Sequence, residues 1–129
     1  MKDFVNFDIA NKLKEKGFKE QCLAYYTKDS CFYYNTSYGS DVENAFKSFN
    51  SRPNHICGKR IDTPTISQVL KWLREEKEFM VFPVYSTNTS RWYCSIVNAD
   101  SLDTYKLSLS DSYEEAALAG IDYSLDNLI

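Results

Sequence analysis

At 129 residues, with 43% hydrophobic and 26% charged side chains, the chain has the length and make-up of one folded domain, which excludes disorder over its whole length. Its formal charge of −3 opposes a phosphate backbone as a general partner, and no run approaches the roughly 20 apolar residues that span a bilayer. Cys22, Cys31, Cys57 and Cys94 contain no C-x-x-C pair, and the start MKDFVNFDIANKLKEK has no apolar leader core, so the reading is a soluble cytoplasmic protein with reduced thiols and no membrane partner.

In chain order, residues 7–17 (FDIANKLKEKG) predict a short helix. Ile9, Ala10 and Leu13 share a face, Asn6 or Asp8 can cap its start, and Gly17 stands where a left-handed residue ends it. CLAYYT (22–27) and CFYYN (31–35), separated by KDS, predict a hairpin. Ser40 and Glu43 form a capping-box pattern, and Val42, Ala45, Phe46 and Phe49 follow helical spacing, so a helix is expected at about 41–49. NSRPNHICGKR reads as a loop, with Pro53 and Gly58 as breakers.

Thr63 and Pro64 then supply a cap and a first helical residue for a helix with Ile66, Val69, Leu70 and Leu73 on its apolar face and Trp72 at the margin. FMVFPVY (79–85) is a strand, and Pro83 assigns it to an edge or a bulge because it cannot donate a ladder bond. RWYCSIVN (91–98) alternates, with Trp92, Cys94 and Ile96 on one face; in LDTYKLSL (102–109) Tyr105, Leu107 and Leu109 share a face. These three strands predict an antiparallel meander. A last helix begins at a capping box, Ser112 with Glu115, and sets Tyr113, Ala117, Gly120, Ile121 and Leu128 on one side. The order α-β-β-(α)-α-β-β-β-α gives an α+β class: one layered domain over 1–129, an antiparallel sheet with at least two helices packed on one face. Both halves open with a helix feeding a hairpin, and Ile9 and Leu13 match Ile66 and Leu70 in spacing, a weak hint of duplication.

Three segments carry a resemblance: Ile9 to Phe18 as IA–x–x–LK–x–x–GF, PTISQVLKWLREEK (64–77), and SYEEAALAGIDYSLDNLI (112–129). In these the chain resembles a family of small proteins common in phages and prophages of gut bacteria. The resemblance runs end to end and is weakest over 36–62. It implies a phage or mobile-element setting, but no activity and no catalytic residue, since no chemistry is assigned to that family.

Tyr25, Tyr26, Tyr33, Tyr34 and Tyr38 form the leading candidate surface. Consecutive tyrosines on a strand point to opposite faces, so those turned away from the core meet water or a partner, and tyrosine is favoured at interfaces. The bland alternative is that tyrosine is simply a good strand former, or that the second face is covered by the 41–49 helix. The expected partner is a host or phage protein, with self-association as a sub-case. A second reading is a small nucleic-acid-binding module using Lys12, Lys14, Lys16 and Lys19 with Lys2; Asp8, Glu15 and Glu20 dilute that patch, and its similarity in element order to double-stranded-RNA-binding modules is analogy alone. A small-molecule site between the hairpin and the middle segment is a third.

No cofactor or metal is expected. His55 and Cys57 are the one close metal-type pair, and the chain has a single histidine where structural zinc needs about four ligands. Trp72, Arg74, Glu75 and Glu76 read as helix packing with an ordinary Arg74–Glu78 pair, and Glu115, Asp122 and Asp126 as a solvated stripe. Gly-rich phosphate loops, G-x-S-x-G and H-E-x-x-H are absent from the sequence, so a non-enzymatic role is expected.

Overall fold

The computed structural model describes residues 3–34 and 60–129, which fall into two compact units. The class is α+β with antiparallel sheets, as the element order predicts, but the strands form two three-stranded sheets in place of one.

The first unit spans Phe4–Thr65. Helix α1 (Phe7–Glu15) starts where the Asn6 side chain accepts from the Ile9 N–H at 2.9 Å. It stops at Gly17, whose φ of 89° suits a left-handed residue; the Phe18 N–H returns to Leu13 O and the Gly17 N–H to Lys14 O. That is a Schellman closure, and Leu13 and Phe18 are both buried beneath it. Strands β1 (Ala24–Tyr26), β2 (Phe32–Tyr34) and β3 (Ile61–Thr63) pair in the order β2-β1-β3. Between β1 and β2, Ser30 takes φ 61° and the Thr27 hydroxyl accepts from the Cys31 N–H. The core of this unit is Val5, Ile9, Ala10, Leu13, Cys22, Ala24, Tyr26 and Ile61.

Strand β3 is a departure from the sequence reading. Thr63 ends a strand, wholly buried with its hydroxyl donating to Ile61 O, and does not cap a helix. The Pro64 carbonyl accepts from the Val5 N–H, so residues 64–65 serve as a connector. The expected helix at 41–49 and loop at 50–59 lie outside the described residues.

The second unit joins Asp3 to residues 66–129, and the Ile66 N–H donates to Asp3 O at 2.7 Å. Helix α2 (Ile66–Glu76) buries Ile66, Val69, Trp72 and Leu73, so Trp72 belongs to the core and not to its margin. The Lys77 N–H closes on Leu73 O, and Glu78 turns the chain with φ 60° directly into β4 (Phe79–Ser86). Strands β5 (Arg91–Asn98) and β6 (Thr104–Lys106) complete an antiparallel meander with β4 at one edge, where Pro83 places it.

Hydrogen bonds fix which way β4 faces. Trp92 exchanges both backbone bonds with Ser110, Cys94 O accepts from Leu107, and the Asn98 N–H donates to Asp103 O. The even residues of β5 therefore bond toward β6. By alternation the odd ones bond to Met80, Phe82 and Val84, and the missing donor of Pro83 lies on the free edge. From Cys94 to Trp92 is two steps, whereas from Leu107 to Ser110 is three. The extra residue is a bulge, and it turns Leu109 to solvent, away from the face it was expected to share with Tyr105 and Leu107.

Helix α3 (Tyr113–Tyr123) starts at Ser112, whose Oγ accepts from the Glu115 N–H, while Glu115 Oε2 accepts from the Asp111 N–H. It packs on the face of β4 and β5 that carries Val81, Cys94 and Ile96, through Ala116, Ala117, Gly120 and Ile121. It continues as a π-helical turn, Ser124–Leu128, which buries Leu125, while Leu128 is only half-buried and Tyr113 is exposed.

Candidate protein-binding face

One row of the first sheet gathers the polar and aromatic groups. Tyr25 stands opposite Tyr33 of β2 on one side and Asp62 of β3 on the other. The Tyr25 and Tyr33 rings stack with centroids 5.6 Å apart and planes 25° from parallel. The guanidinium carbon of Arg60, two positions before Asp62, lies 4.0 Å from the Tyr25 centroid, a cation–π contact. Two rings, one cation and one carboxyl thus line a single surface.

Asp62 is the most perturbed charge in this row. Burial pushes its carboxyl above the usual range, opposed by the positive charges of Arg60 and Lys14. Among the described residues its buried Oδ1 has no hydrogen-bond partner. Cys22 lies within reach of the same field: burial, then Asp62 and Glu20, push its thiol far up, and it donates to Glu20 O at 3.4 Å. A thiol held protonated in this way is not a nucleophile.

The five candidate tyrosines separate by face. Tyr33 and Tyr34 are 49% and 53% exposed, and Tyr25 is half-buried under Arg60. Tyr26 is a correction to the expected surface: it is 7% exposed, its hydroxyl donates to Val5 O, and its ring packs edge-on against Phe7 and Phe32. It is a core residue because β1 turns it toward α1. Tyr34 meets the rings of Phe4 and Phe32 with one side while the other stays open. Tyr38 lies outside the described residues.

Of the lysines, Lys14 and Lys19 are exposed, and Lys12 and Lys16 are half-buried and engaged. Lys14 directs part of its field into the molecule, toward Asp62. Lys2, His55 and Cys57 fall outside the described residues. Among the described residues no group of three or more His, Cys, Asp or Glu lies close enough to hold a metal ion, and no helix is long and apolar enough to cross a membrane.

Trp72 and Leu73 are packing residues, and Arg74, Glu75 and Glu76 point to water. Glu78 lies past the end of α2 with a positive φ, so the expected helical Arg74–Glu78 spacing does not apply there. Glu115 closes the start of α3, and Asp122 and Asp126 are also engaged.

Arg60 and Asp62 were absent from the sequence candidates. Their signal was the period-two run Arg60-Ile61-Asp62-Thr63, polar residues on one face and buried ones on the other, which a following proline disguised as a helix start. Compared with known proteins, the chain matches no family model, no curated protein and no solved structure.

Proposed function

We propose that this chain is a non-enzymatic accessory protein of a phage or mobile element that acts by binding another protein, with the Tyr25–Tyr33 face as its contact surface. The phage setting is supported by the resemblance of the three motif segments alone. The binding role is supported chiefly by one observation: Tyr33 presents half its surface to water while its ring stacks on Tyr25, which Arg60 clamps in turn. Rigid tyrosines bury much area on contact and surrender little entropy, which is what an interface centre needs. The raised pKa values at Cys22 and Asp62 follow chiefly from burial, which disfavours the thiolate and the carboxylate.

The experiment is capture by the immobilised full chain from a gut-bacterial lysate, in parallel with Tyr33→Ser and with Tyr25→Ser/Tyr33→Ser. Circular dichroism checks that both variants fold. The expected result is a protein retained by the wild type and lost from both variants. Retention by the double variant removes this face from the reading. Recovery of nucleic acid in place of protein, released steeply by salt and weakened by Lys14→Gln/Lys19→Gln, favours the lysine surface of α1.

A further inference from the structure

Among the described residues, the face of the second sheet turned from α3 is polar on β5 and β6, where Arg91, Ser95, Thr104 and Lys106 lie, but on β4 its sequence is not that of a wetted strand. Alternation turns Met80, Phe82 and Val84 away from α3, and Met80 and Phe82 are 40% and 44% exposed. An antiparallel strand with one wet face alternates apolar and polar residues. Strand β4 reads Phe-Met-Val-Phe-Pro-Val-Tyr, the unbroken apolar pattern of a strand covered on both sides.

The same strand is an edge. The backbone donors of Phe79, Val81 and Tyr85 and the carbonyls of residues 79, 81, 83 and 85 point along its free side, because the even residues of β4 bond to β5. Edges are commonly guarded by charged side chains, and β4 has none; Pro83 removes a single donor.

We infer that β4 is the joining edge for a second copy of this chain, paired antiparallel about a two-fold axis through Phe82. In that register Phe79 faces Tyr85 of the second copy, and Val81 faces Pro83. Each proline removes one bond, and its carbonyl still accepts from Val81. Phe82 meets its own counterpart at the axis and Met80 meets Val84, so two open faces become one apolar stripe. An isologous contact must be self-complementary, and an uncharged strand brings no like charges together across the axis. That charge balance is what selects a second copy over a charged peptide. The surface is separate from the tyrosine face and does not depend on it.

Sedimentation velocity on the full chain over a range of concentrations tests this, with Phe82→Lys and Phe82→Glu, both at an exposed position. The wild type is expected to dimerise. Each variant alone shifts the monomer–dimer midpoint at least about tenfold upward, because like charges meet at the axis. An equal mixture of the two restores a dimer that native mass spectrometry identifies as mixed. Should either variant fail to fold, hydrogen exchange on the wild type replaces it: the amides of Phe79, Val81 and Tyr85 become protected as concentration rises. A wild type that stays monomeric to about millimolar concentration overturns the inference. So does a dimer that ignores both charges, one lost in Tyr33→Ser but kept in Phe82→Lys, or exchange at those three amides that does not change with concentration.

Discussion

Gly120 of α3 lies against Cys94 of β5 so closely that no β-carbon fits between them. A methyl group built on Gly120 overlaps the Cys94 sulfur and sits 2.9 Å from Val81 Cγ1. Two effects oppose each other in Gly120→Ala. Helix propensity favours alanine by about 1 kcal/mol, and overpacking of a closed core opposes it by about 1–3 kcal/mol. The steric effect wins because the obstructing sulfur is itself fully buried and has nowhere to go. Gly120→Ala therefore lowers stability by up to about 2 kcal/mol in urea denaturation. Adding Cys94→Ala recovers part of that loss, since the two changes share one space.

Tyr26 and Tyr33 are both tyrosines of one hairpin, but their substitutions do different things. Tyr26→Ser empties a core position and strands the Val5 carbonyl that its hydroxyl meets, a loss of about 3–5 kcal/mol. Tyr33→Ser removes one stacked ring at an exposed site, a loss of about 1 kcal/mol. Thermal unfolding of the two variants separates them by many degrees. Only the Tyr33 variant is a clean probe of binding.

The elements with a long apolar period were legible in the sequence. Ile9, Ala10 and Leu13 marked α1 and Gly17 its end; Trp92, Cys94 and Ile96 marked the inner face of β5; Pro83 marked an edge. Short-range signals misled where three residues had to carry them. Thr63-Pro64 has the chemistry of a helix start, but pairing of Ala24 with Thr63 and Tyr25 with Asp62 claims those residues for a sheet. Such pairing spans more than thirty positions of chain and leaves no local trace. The same fact hid Arg60 and Asp62 from the candidate surface. The tyrosine row was half legible: alternation told that neighbours diverge, but not which of Tyr25 and Tyr26 faces the core, because both flanks of the run are apolar. The bulge at residues 108–109 was invisible for a related reason, since one extra residue reverses the alternation without changing composition.

Asp62 makes stability depend on pH with a defined sign. Burial raises its carboxyl above the ordinary carboxylate value, so the folded state holds the proton more tightly than the unfolded state. The stability this group contributes is present below the unfolded pKa and is lost as pH rises through the folded one. Asp62→Asn removes the titration. Relative to that variant, the wild type is expected to lose stability as pH climbs from about 4 toward neutrality. Chemical denaturation of both proteins across that range measures the difference. A difference that does not change with pH contradicts the buried placement of the carboxyl.

The cysteines report on packing without any substitution. Cys31 is exposed in the β1–β2 turn, whereas Cys22 and Cys94 are buried. Burial pushes the Cys94 thiol up to about 11, against a smaller opposing effect from the Phe82 backbone, and pushes Cys22 higher still. Alkylation requires both access and thiolate, and at pH 8 the two buried groups have neither. Brief treatment of the native chain with iodoacetamide, followed by peptide mapping, is expected to mark Cys31 and leave Cys22 and Cys94 unmodified. In denaturant all three react. The contrast is also local: Gly120→Ala, by forcing α3 off β5, raises the native-state labelling of Cys94, while Cys22, in the other unit, keeps its protection. Labelling of Cys94 in the native wild type at the rate of Cys31 would show that the helix does not close over the sheet.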